Sequence, residues 1–315
     1  MEKVRPFVKW AGGKGSLIEQ LTKYYPLEIK DGLIDTYIEP FVGGGAVLID
    51  VLQNYNVKKA YAFDINKDLI NCYNVIKNNP AELINRLKEK EKEFITLSME
   101  ERPTFFYKIR DEYNKDNNEE KIERASQFIF LNRTCFNGLY RVNSQGKFNV
   151  PCGKYKNPTI CDEVNITNLS KLIQNVEFIY GQYTESEKYI TNNTFVYFDP
   201  PYRPINKTSG FTSYTKEQFD DENQIELAKF YSKLSNKGVC LMLSNSDPKN
   251  TNPNDNFFDN IYRGFNINTI SAKRMINADS NGRGAISELV ITNYENMESE
   301  ECLKENSFMK IAVSN

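Results

Sequence analysis

The chain has 315 residues, of which 40% are hydrophobic and 26% charged, and its formal net charge is −2. This length allows one catalytic domain with a sizeable insertion, and no apolar run approaches the ~20 residues that a membrane span requires. The absence of histidine excludes Ser-His-Asp triads and zinc sites built on histidine. Six scattered cysteines without a C-x-x-C pair, and no signal-peptide pattern, predict reduced thiols, no metal site and a cytoplasmic protein.

Short apolar runs alternate with helical patterns near both ends of the chain, which predicts an α/β sheet. The predicted strands are Ile34–Glu39, Ala60–Asp64, Phe178–Gly181, Phe195–Asp199, Val239–Ser244 and Ser287–Asn293. The predicted helices include Leu17–Tyr25, Lys67–Lys77, Ala81–Phe94 and Gln218–Leu234, with a break at Asn79-Pro80.

Between about residues 80 and 175 this alternation stops, which indicates an inserted domain. The segment is first helical and charged, and then rich in Asn, Gly and aromatic residues, with a hairpin turn predicted at Ser144-Gln145-Gly146. From Arg133 to Cys161 there are five basic residues and no acidic one, so an acidic protein can still present a basic surface. The predicted units are residues 1–79 and 176–295 as the catalytic domain, 80–175 as the insertion, and 296–315 as a C-terminal tail.

The sequence Glu39-Pro-Phe-Val-Gly-Gly-Gly45 lies where a strand ends and a helix should begin. Glycines there allow a sharp turn and a close approach of the backbone to a ligand, and Asp64 at the next strand end can accept both hydroxyls of a ribose. The turn is not the G-x-G-x-x-G of NAD sites, and Lys14 lacks the following Ser or Thr of an ATP phosphate loop. Alone, the motif is equally compatible with a plain tight turn.

Asp199-Pro200-Pro201-Tyr202 follows a buried strand, at the sheet edge where ligands of such folds bind. The exocyclic amine of a nucleobase is a poor nucleophile because its lone pair is delocalised into the ring. The Asp199 carboxylate and the Pro200 carbonyl can accept its two N–H bonds, which directs the lone pair to a methyl sulfonium. Tyr202 offers a flat face to a base that has left the helix. We expect the proton to leave to solvent, because Asp199 near its usual pKa is a weak base.

With both motifs in this order, the chain resembles the Dam-type, D12-class (alpha group) DNA adenine-N6 methyltransferases. Within this class it looks most like the GATC-specific branch, which includes the pneumococcal GATC methylase that it resembles most. The resemblance covers about Val4 to Tyr294. Besides the two motifs, it rests on Phe7–Lys14, Phe136–Asn143, Lys147–Pro151 and Phe211–Tyr214. It implies a Rossmann-like S-adenosylmethionine-dependent methyltransferase fold. Such a fold has seven mostly parallel strands, one antiparallel strand near the C-terminus, and an inserted, mainly helical target-recognition domain with a β-hairpin.

The resemblance also implies the roles of individual residues. Methyl transfer from S-adenosylmethionine to N6 of adenine in GATC, by base flipping in double-stranded DNA, would leave S-adenosylhomocysteine. Lys14 would neutralise the methionine carboxylate, and Arg141 would read the guanine. The implied catalytic residues are Asp199, Pro200 and Tyr202, and the cofactor residues are Trp10, Lys14, Phe41, Gly43, Gly45, Asp64 and Asp199. The implied DNA contacts are Asn137, Leu139, Arg141, Lys147, Lys154, Lys156, Phe211 and Tyr214.

The expected partner is double-stranded DNA. We expect the protein to bind it as a monomer and to have no membrane association. A cognate restriction endonuclease can belong to the same system without a stable complex. Two alternatives stay open from the sequence. One is an amino-methyltransferase acting on cytosine N4 or on RNA, which would use the same chemistry. The other is a DNA-binding regulator that keeps the methyltransferase fold without turnover.

Overall fold

The computed structural model describes residues 3–115, 120–203, 219–273 and 285–295, and is built around a seven-stranded sheet in the order β3-β2-β1-β4-β5-β7-β6. The strands are β1 Thr36–Glu39, β2 Lys59–Asp64, β3 Val176–Tyr180, β4 Thr194–Phe198, β5 Cys240–Ser246, β6 Asn266–Lys273 and β7 Ala285–Thr292. Each of the six predicted strands corresponds to one of these. The predicted α/β methyltransferase fold is therefore confirmed.

One strand runs against the others. The pairs among β1 to β5 are parallel, whereas β7 is antiparallel to both of its neighbours, β5 and β6. The predicted antiparallel strand near the C-terminus is thus confirmed. Because β7 is reversed, its first residues lie at the edge where the parallel strands end, with Glu288 opposite Ser246 of β5.

Ten α-helices surround the sheet in the described residues. They are α1 Ile18–Leu21, α2 Leu27–Lys30, α3 Ala46–Asn54, α4 Lys67–Asn78, α5 Pro80–Thr96, α6 Arg102–Tyr113, α7 Lys121–Thr134, α8 Glu163–Leu172, α9 Asp221–Ser235 and α10 Phe257–Ile261. The predicted break at Asn79-Pro80 separates α4 from α5, because proline suits the first turn of a helix but not its interior. None of these helices is long and apolar enough to cross a bilayer.

The central strands of the sheet are buried on both faces, so their alternate residues enter different cores. Ile38, Val196 and Phe198 pack with α9 on one face. Tyr37, Phe195 and Tyr197 face the opposite core, which continues through α3 and α4 into the inserted helices. Residues two apart in a strand share a face of the sheet. This alternation decides which polar side chains lie on the same face at the carboxyl edge.

The insertion contains α5 to α8 and a hairpin. Helix α7 packs against α4, α5 and α6. The hairpin closes through hydrogen bonds from Asn143 N to the Lys147 carbonyl and from Gly146 N to the Asn143 carbonyl, so the predicted turn at residues 144–146 is present. Gly146 has a φ of 77°, a conformation that favours glycine. The proposed boundary of a separate domain at residues 80–175 stays a prediction.

Two elements differ from the sequence prediction. Strand β6 was not predicted, because an edge strand that carries Asn266, Asn268, Thr269 and Ser271 lacks the apolar run of a central strand. The helix predicted over Leu17–Tyr25 is shorter, since α1 ends at Leu21 and a 3-10 turn follows over Thr22–Tyr24. Phe211, Tyr214 and the tail at 296–315 lie outside the described residues.

We predict that Arg102 stabilises the insertion. Its buried guanidinium donates to the carbonyl oxygens of Ile95, Leu97, Tyr155 and Lys156, which joins the end of α5 to the basic segment. Replacing Arg102 with Met leaves these carbonyls without their charged donor, so the free energy of unfolding should fall by about 3 kcal/mol in urea denaturation.

Arg86→Met is the control for this prediction. Arg86 pairs with Glu82 and Glu120 on the surface, and surface ion pairs contribute little to stability. The control should keep the urea midpoint of the wild type. An equal midpoint for Arg102→Met would contradict the stabilising role of Arg102.

Candidate active site

The carboxyl ends of β4 and β5 and the start of β7 together form a polar site. Asp199 directly follows β4 and has the same strand parity as Tyr197, whose hydroxyl lies 2.6 Å from the Ser244 hydroxyl. Ser244 in turn donates to Asp199 Oδ1 at 3.3 Å. The Asp199 side chain is therefore held in place by Ser244 of the neighbouring strand β5.

Lys14 contributes a buried positive charge to this site from the N-terminal segment. Its ammonium donates to Asp199 Oδ1 at 2.6 Å, to the Gly12 carbonyl at 2.9 Å and to the Tyr202 hydroxyl at 3.0 Å. The Lys14 side chain is only 2% exposed. The structure thus brings Lys14 together with two residues of the Asp-Pro-Pro-Tyr motif. The sequence prediction that Lys14 binds a methionine carboxylate remains untested.

Burial changes the acidity of the groups around Lys14. Burial raises the pKa of Asp199. The Lys14 charge and hydrogen bond oppose this rise, but the pKa of Asp199 stays above its ordinary value. The expectation of an ordinary pKa for Asp199 was therefore wrong. Burial raises the pKa of Tyr202, and the carboxylates of Asp199 and Glu288 raise it further, so Tyr202 stays neutral. The site therefore holds a neutral phenol beside a carboxylate and an ammonium.

Two residues that the sequence analysis did not identify hold the Asp-Pro-Pro-Tyr loop. Gln224 of α9 is fully buried, and its Nε2 donates to the Pro201 carbonyl at 3.0 Å. Arg203 pairs with Asp221 at 2.6 Å and with Asp255 at 2.7 Å. No hydrogen bond from a described residue reaches the Pro200 carbonyl. The only local signal was the position of Arg203 directly after the motif.

The glycine-rich turn and Asp64 form a second part of the site. Asp64 Oδ2 accepts from Gly43 N at 3.0 Å, and Oδ1 accepts from Asn66 N at 2.8 Å. Gly43 and Gly45 have φ values of 46° and 70°, and a Cβ on Gly45 would lie 2.5 Å from the Tyr73 hydroxyl. Burial raises the pKa of Asp64 to about 6, against the lowering effect of these backbone donors.

Apolar side chains flank Asp64 and the turn. Phe41 stacks on Tyr183 with ring centroids 5.4 Å apart, and Phe219 meets Phe41 edge-on at 5.9 Å. Ile65, the residue after Asp64, is 50% exposed although it is a large hydrophobic residue. An acceptor for hydroxyls beside exposed apolar surface suits a nucleoside. The sequence analysis named Phe41 but missed Ile65 and Tyr183.

Trp10 connects the glycine-rich turn to the hairpin. A Cβ on Gly43 would lie 2.8 Å from Trp10 Cδ1, so the indole packs directly on the turn. On its other side Trp10 stacks on Tyr140, with centroids 5.6 Å apart. Because Tyr140 directly precedes Arg141, one aromatic stack joins the predicted cofactor segment to the predicted DNA-reading residue.

The hairpin presents the predicted DNA contacts at the surface. Arg141 Nε donates to Asn149 Oδ1 at 2.8 Å, which orients the guanidinium. Asn137 has a φ of 56° in the exposed turn before Leu139, and the preceding Phe136 is 53% exposed. Phe136 was not among the contacts predicted from the sequence, because an aromatic residue before Asn-Gly predicts only a turn. Three further predicted contacts, Lys147, Lys154 and Lys156, have exposed side chains.

Within the described residues, no group of three or more Cys, Asp or Glu side chains is arranged to hold a metal ion.

Comparison with known proteins identifies the family. The profile of the D12 class N6 adenine-specific DNA methyltransferases matches residues 10–276. The chain belongs to this family. The chain is 52% identical over 294 residues to the type II methyltransferase M.MjaIII of Methanocaldococcus jannaschii, which covers 93% of this chain and 100% of that protein.

Two other relatives agree with this assignment. The type II methyltransferase M1.LlaDCHI of Lactococcus lactis subsp. cremoris is 38% identical, over 93% of this chain and 96% of its own. The DNA adenine methylase of Vibrio cholerae El Tor is 34% identical, over 92% of this chain and 96% of its own. The methyltransferase is therefore an enzyme of DNA adenine-N6 methylation. None of these names states a recognition sequence, so GATC and the closeness to the pneumococcal branch stay predictions.

Proposed function

We propose that this methyltransferase transfers a methyl group from S-adenosylmethionine to N6 of an adenine flipped out of double-stranded DNA, within GATC. The observation that supports it most is the Asp199 carboxylate at the end of β4. It accepts from the same Lys14 ammonium as the Tyr202 hydroxyl, and its strand is adjacent to β1, which leads into the glycine-rich turn. The family assignment favours this enzyme over a cytosine-N4 or RNA methyltransferase and over a silent regulator.

S-adenosylmethionine supplies an electrophilic methyl group on a sulfonium when bound. We assign its ribose to Asp64, its adenine to the apolar side chains of Phe41 and Ile65, and its methionine end to Trp10, Lys14 and Asp199. Gly43 and Gly45 let the backbone approach it. The exposed Ile65 beside a buried carboxylate supports this assignment, because it offers apolar and hydroxyl-binding surface together. The product would be S-adenosylhomocysteine, with no metal required.

The chain's own groups would activate the target amine. Asp199 and the Pro200 carbonyl accept its two N–H bonds, and this draws the nitrogen lone pair toward the methyl carbon. Both acceptors are preorganised, since Gln224 and Arg203 hold the loop. Tyr202 packs against the ring of the flipped base. After transfer, Asp199 can accept the proton more readily than an ordinary aspartate, because its pKa is raised.

The hairpin would read the DNA. We assign Arg141 to guanine O6 and N7, Asn137 and Leu139 to the duplex beside the flipped adenine, and three lysines to phosphates. The lysines are Lys147, Lys154 and Lys156. Phe211 and Tyr214 would close over the target base. The enzyme would act in the cytoplasm as a monomer. The type II names of two relatives support a restriction–modification setting in which the endonuclease forms no stable complex.

The deciding assay uses two duplexes, one with GATC and one with a permuted site. Nucleoside analysis of the wild-type product should show N6-methyladenine in the first duplex only, and that duplex should resist an endonuclease that cuts unmodified GATC. Equal methylation of the permuted duplex would contradict GATC specificity. N4-methylcytosine, or binding without transfer, would contradict the proposed reaction.

Replacement of Asp199 by Ala should lower single-turnover methyl transfer by about a thousandfold or more, since the amine loses a fixed acceptor. Asp50→Asn is a matched control. Asp50 is a buried carboxylate on α3 that accepts from Tyr25 at 3.2 Å, away from the proposed site. It should transfer at the wild-type rate. An Asp199→Ala enzyme with near-normal turnover would show that the motif does not activate the amine.

Binding of S-adenosylhomocysteine should depend on the charge of Asp64. The pKa of Asp64 is raised to about 6, so the carboxylate is ionised at pH 7 and mostly protonated at pH 5. A protonated carboxyl cannot accept both ribose hydroxyls. Affinity should therefore fall about tenfold from pH 7 to pH 5, as measured by calorimetry. The fall assigned to Asp64 should be absent in Asp64→Asn. Unchanged wild-type affinity at pH 5 would contradict the ribose assignment.

Arg141 should determine sequence discrimination. Arg141→Ala should weaken binding to GATC by about 10- to 100-fold and affect a duplex with the guanine replaced much less. Lys147→Ala is the comparison. It should weaken both duplexes equally and reduce the salt dependence of binding by about one unit of slope. Equal losses on both duplexes for Arg141→Ala would mean that Arg141 contacts only phosphate.

A further inference from the structure

Two neighbouring residues of β5 reach the Asp-Pro-Pro-Tyr loop from opposite faces of the sheet. On one face Ser244 donates to Asp199, as described above. On the other face Asn245 follows Leu241 and Leu243 and contacts α9. Asn245 is fully buried, and the mechanism above gives it no role. A buried amide on an otherwise apolar strand face is costly unless its hydrogen bonds are made, so we asked what these bonds hold.

Asn245 is connected to the loop through Gln224 of α9. Asn245 Nδ2 donates to Gln224 Oε1 at 3.2 Å, and Gln224 Nε2 donates to the Pro201 carbonyl at 3.0 Å. At the other end, Asn245 Oδ1 accepts from the backbone N–H of Ser246 at 2.8 Å. A backbone N–H can only donate, so the amide oxygen of Asn245 must face it. This fixes the orientation of both side-chain amides, and Gln224 presents its donor to Pro201.

The Pro201 carbonyl is the group through which this part of the loop can be held. Pro200 and Pro201 have no N–H, so neither can donate a backbone hydrogen bond. Between their two carbonyls the peptide bond is planar and the ring fixes φ of Pro201, so ψ of Pro201 is the only soft dihedral. Because Asp199 is held on the other side of the prolines, the hydrogen bond from Gln224 restrains this dihedral. It thereby restrains the direction of the Pro200 carbonyl.

We propose that Gln224 and Asn245 are positioning residues, a buried amide pair that holds the Pro200 carbonyl in place for the target amine. This inference rests on the proposed role of Pro200 as the second acceptor. The pair acts through the loop and contacts neither the base nor the cofactor. Without it, Asp199 stays in place but the second acceptor is free to turn away. The amine then has one fixed acceptor instead of two, which slows the transfer.

The first measurement is single-turnover methyl transfer at saturating S-adenosylmethionine and GATC duplex. Gln224→Met, a substitution of similar size, should lower the rate about tenfold or more, because a small misplacement of a reacting group is costly. Asn245→Leu leaves Gln224 without its orienting donor and should lower the rate about threefold. Gln53→Met is the control and should keep the wild-type rate. Gln53 also donates to a backbone carbonyl, that of Val4, but lies at the end of α3 away from Gly45.

A second measurement separates positioning from stability. Two GATC duplexes are compared, one with adenine and one with purine, which lacks the amine, at the target position. The ratio of their dissociation constants, measured by fluorescence anisotropy with bound S-adenosylhomocysteine, gives the preference for the amine. Gln224→Met should lower this preference about fivefold, the effect of about one hydrogen bond. A residue that only stabilises the fold would change the binding of both duplexes alike.

A double-mutant cycle tests whether Asn245 acts through Gln224. In a Gln224→Met background, Asn245→Leu should change the rate and the preference less than twofold, because no amide remains to be oriented. If Gln224→Met does not fold, as judged by its melting curve, Gln224→Asn takes its place. It keeps a polar amide but is one methylene too short to reach both partners, so it should show a similar loss of preference.

The outcomes separate the two proposals. An unchanged preference for the amine in the folded Gln224 variant, or additive losses in the double variant, would overturn the positioning pair while leaving the reaction as proposed. Absence of N6-methyladenine from the wild-type product would overturn the proposed function, and the positioning pair with it.

Discussion

One buried positive charge organises the carboxyl edge of this sheet. The Lys14 ammonium is almost completely removed from water, and a charge in that position requires partners on every side. Its acceptors come from the N-terminal segment and from the motif after the central strand, so the interaction joins parts of the chain 185 residues apart. The same ion pair holds Asp199 beside Tyr202 before any substrate binds. Acceptors that are fixed in this way need no reorganisation when charge develops beside them.

The sequence predicts most of the sheet because its central strands are buried on both faces and therefore apolar. Thr194–Phe198 is fully buried, and such a run has few other interpretations. Strand β6 could not be predicted in this way. It lies at the edge of the sheet, and polar and apolar residues are mixed in its sequence. Proline and glycine residues predicted the helix boundary at Pro80 and the hairpin turn, because these residues act through local backbone geometry.

The motif residues of the candidate site could be named from the sequence, but their connections could not. Asp64 and Asp199 were predicted at strand ends, and both lie there. Gln224 and Glu288 were missed, because a helix glutamine and a strand glutamate have no local signal; only the strand order brings them to the site. The raised pKa of Asp199 was missed for the same reason, since burial is a property of the folded chain.

The alternation of side chains along β7 limits which changes of sequence length this enzyme can accept. Glu288 faces the polar site, while its neighbours Leu289 and Ile291 enter the core beside α9. A slip of one residue in the pairing of β7 with β5 would exchange these two faces. The carboxylate would then enter a hydrocarbon core, and a leucine would meet the lysine. Length variation in the segment that precedes β7 is therefore compatible with this architecture only if the hydrogen-bonding register with β5 is kept.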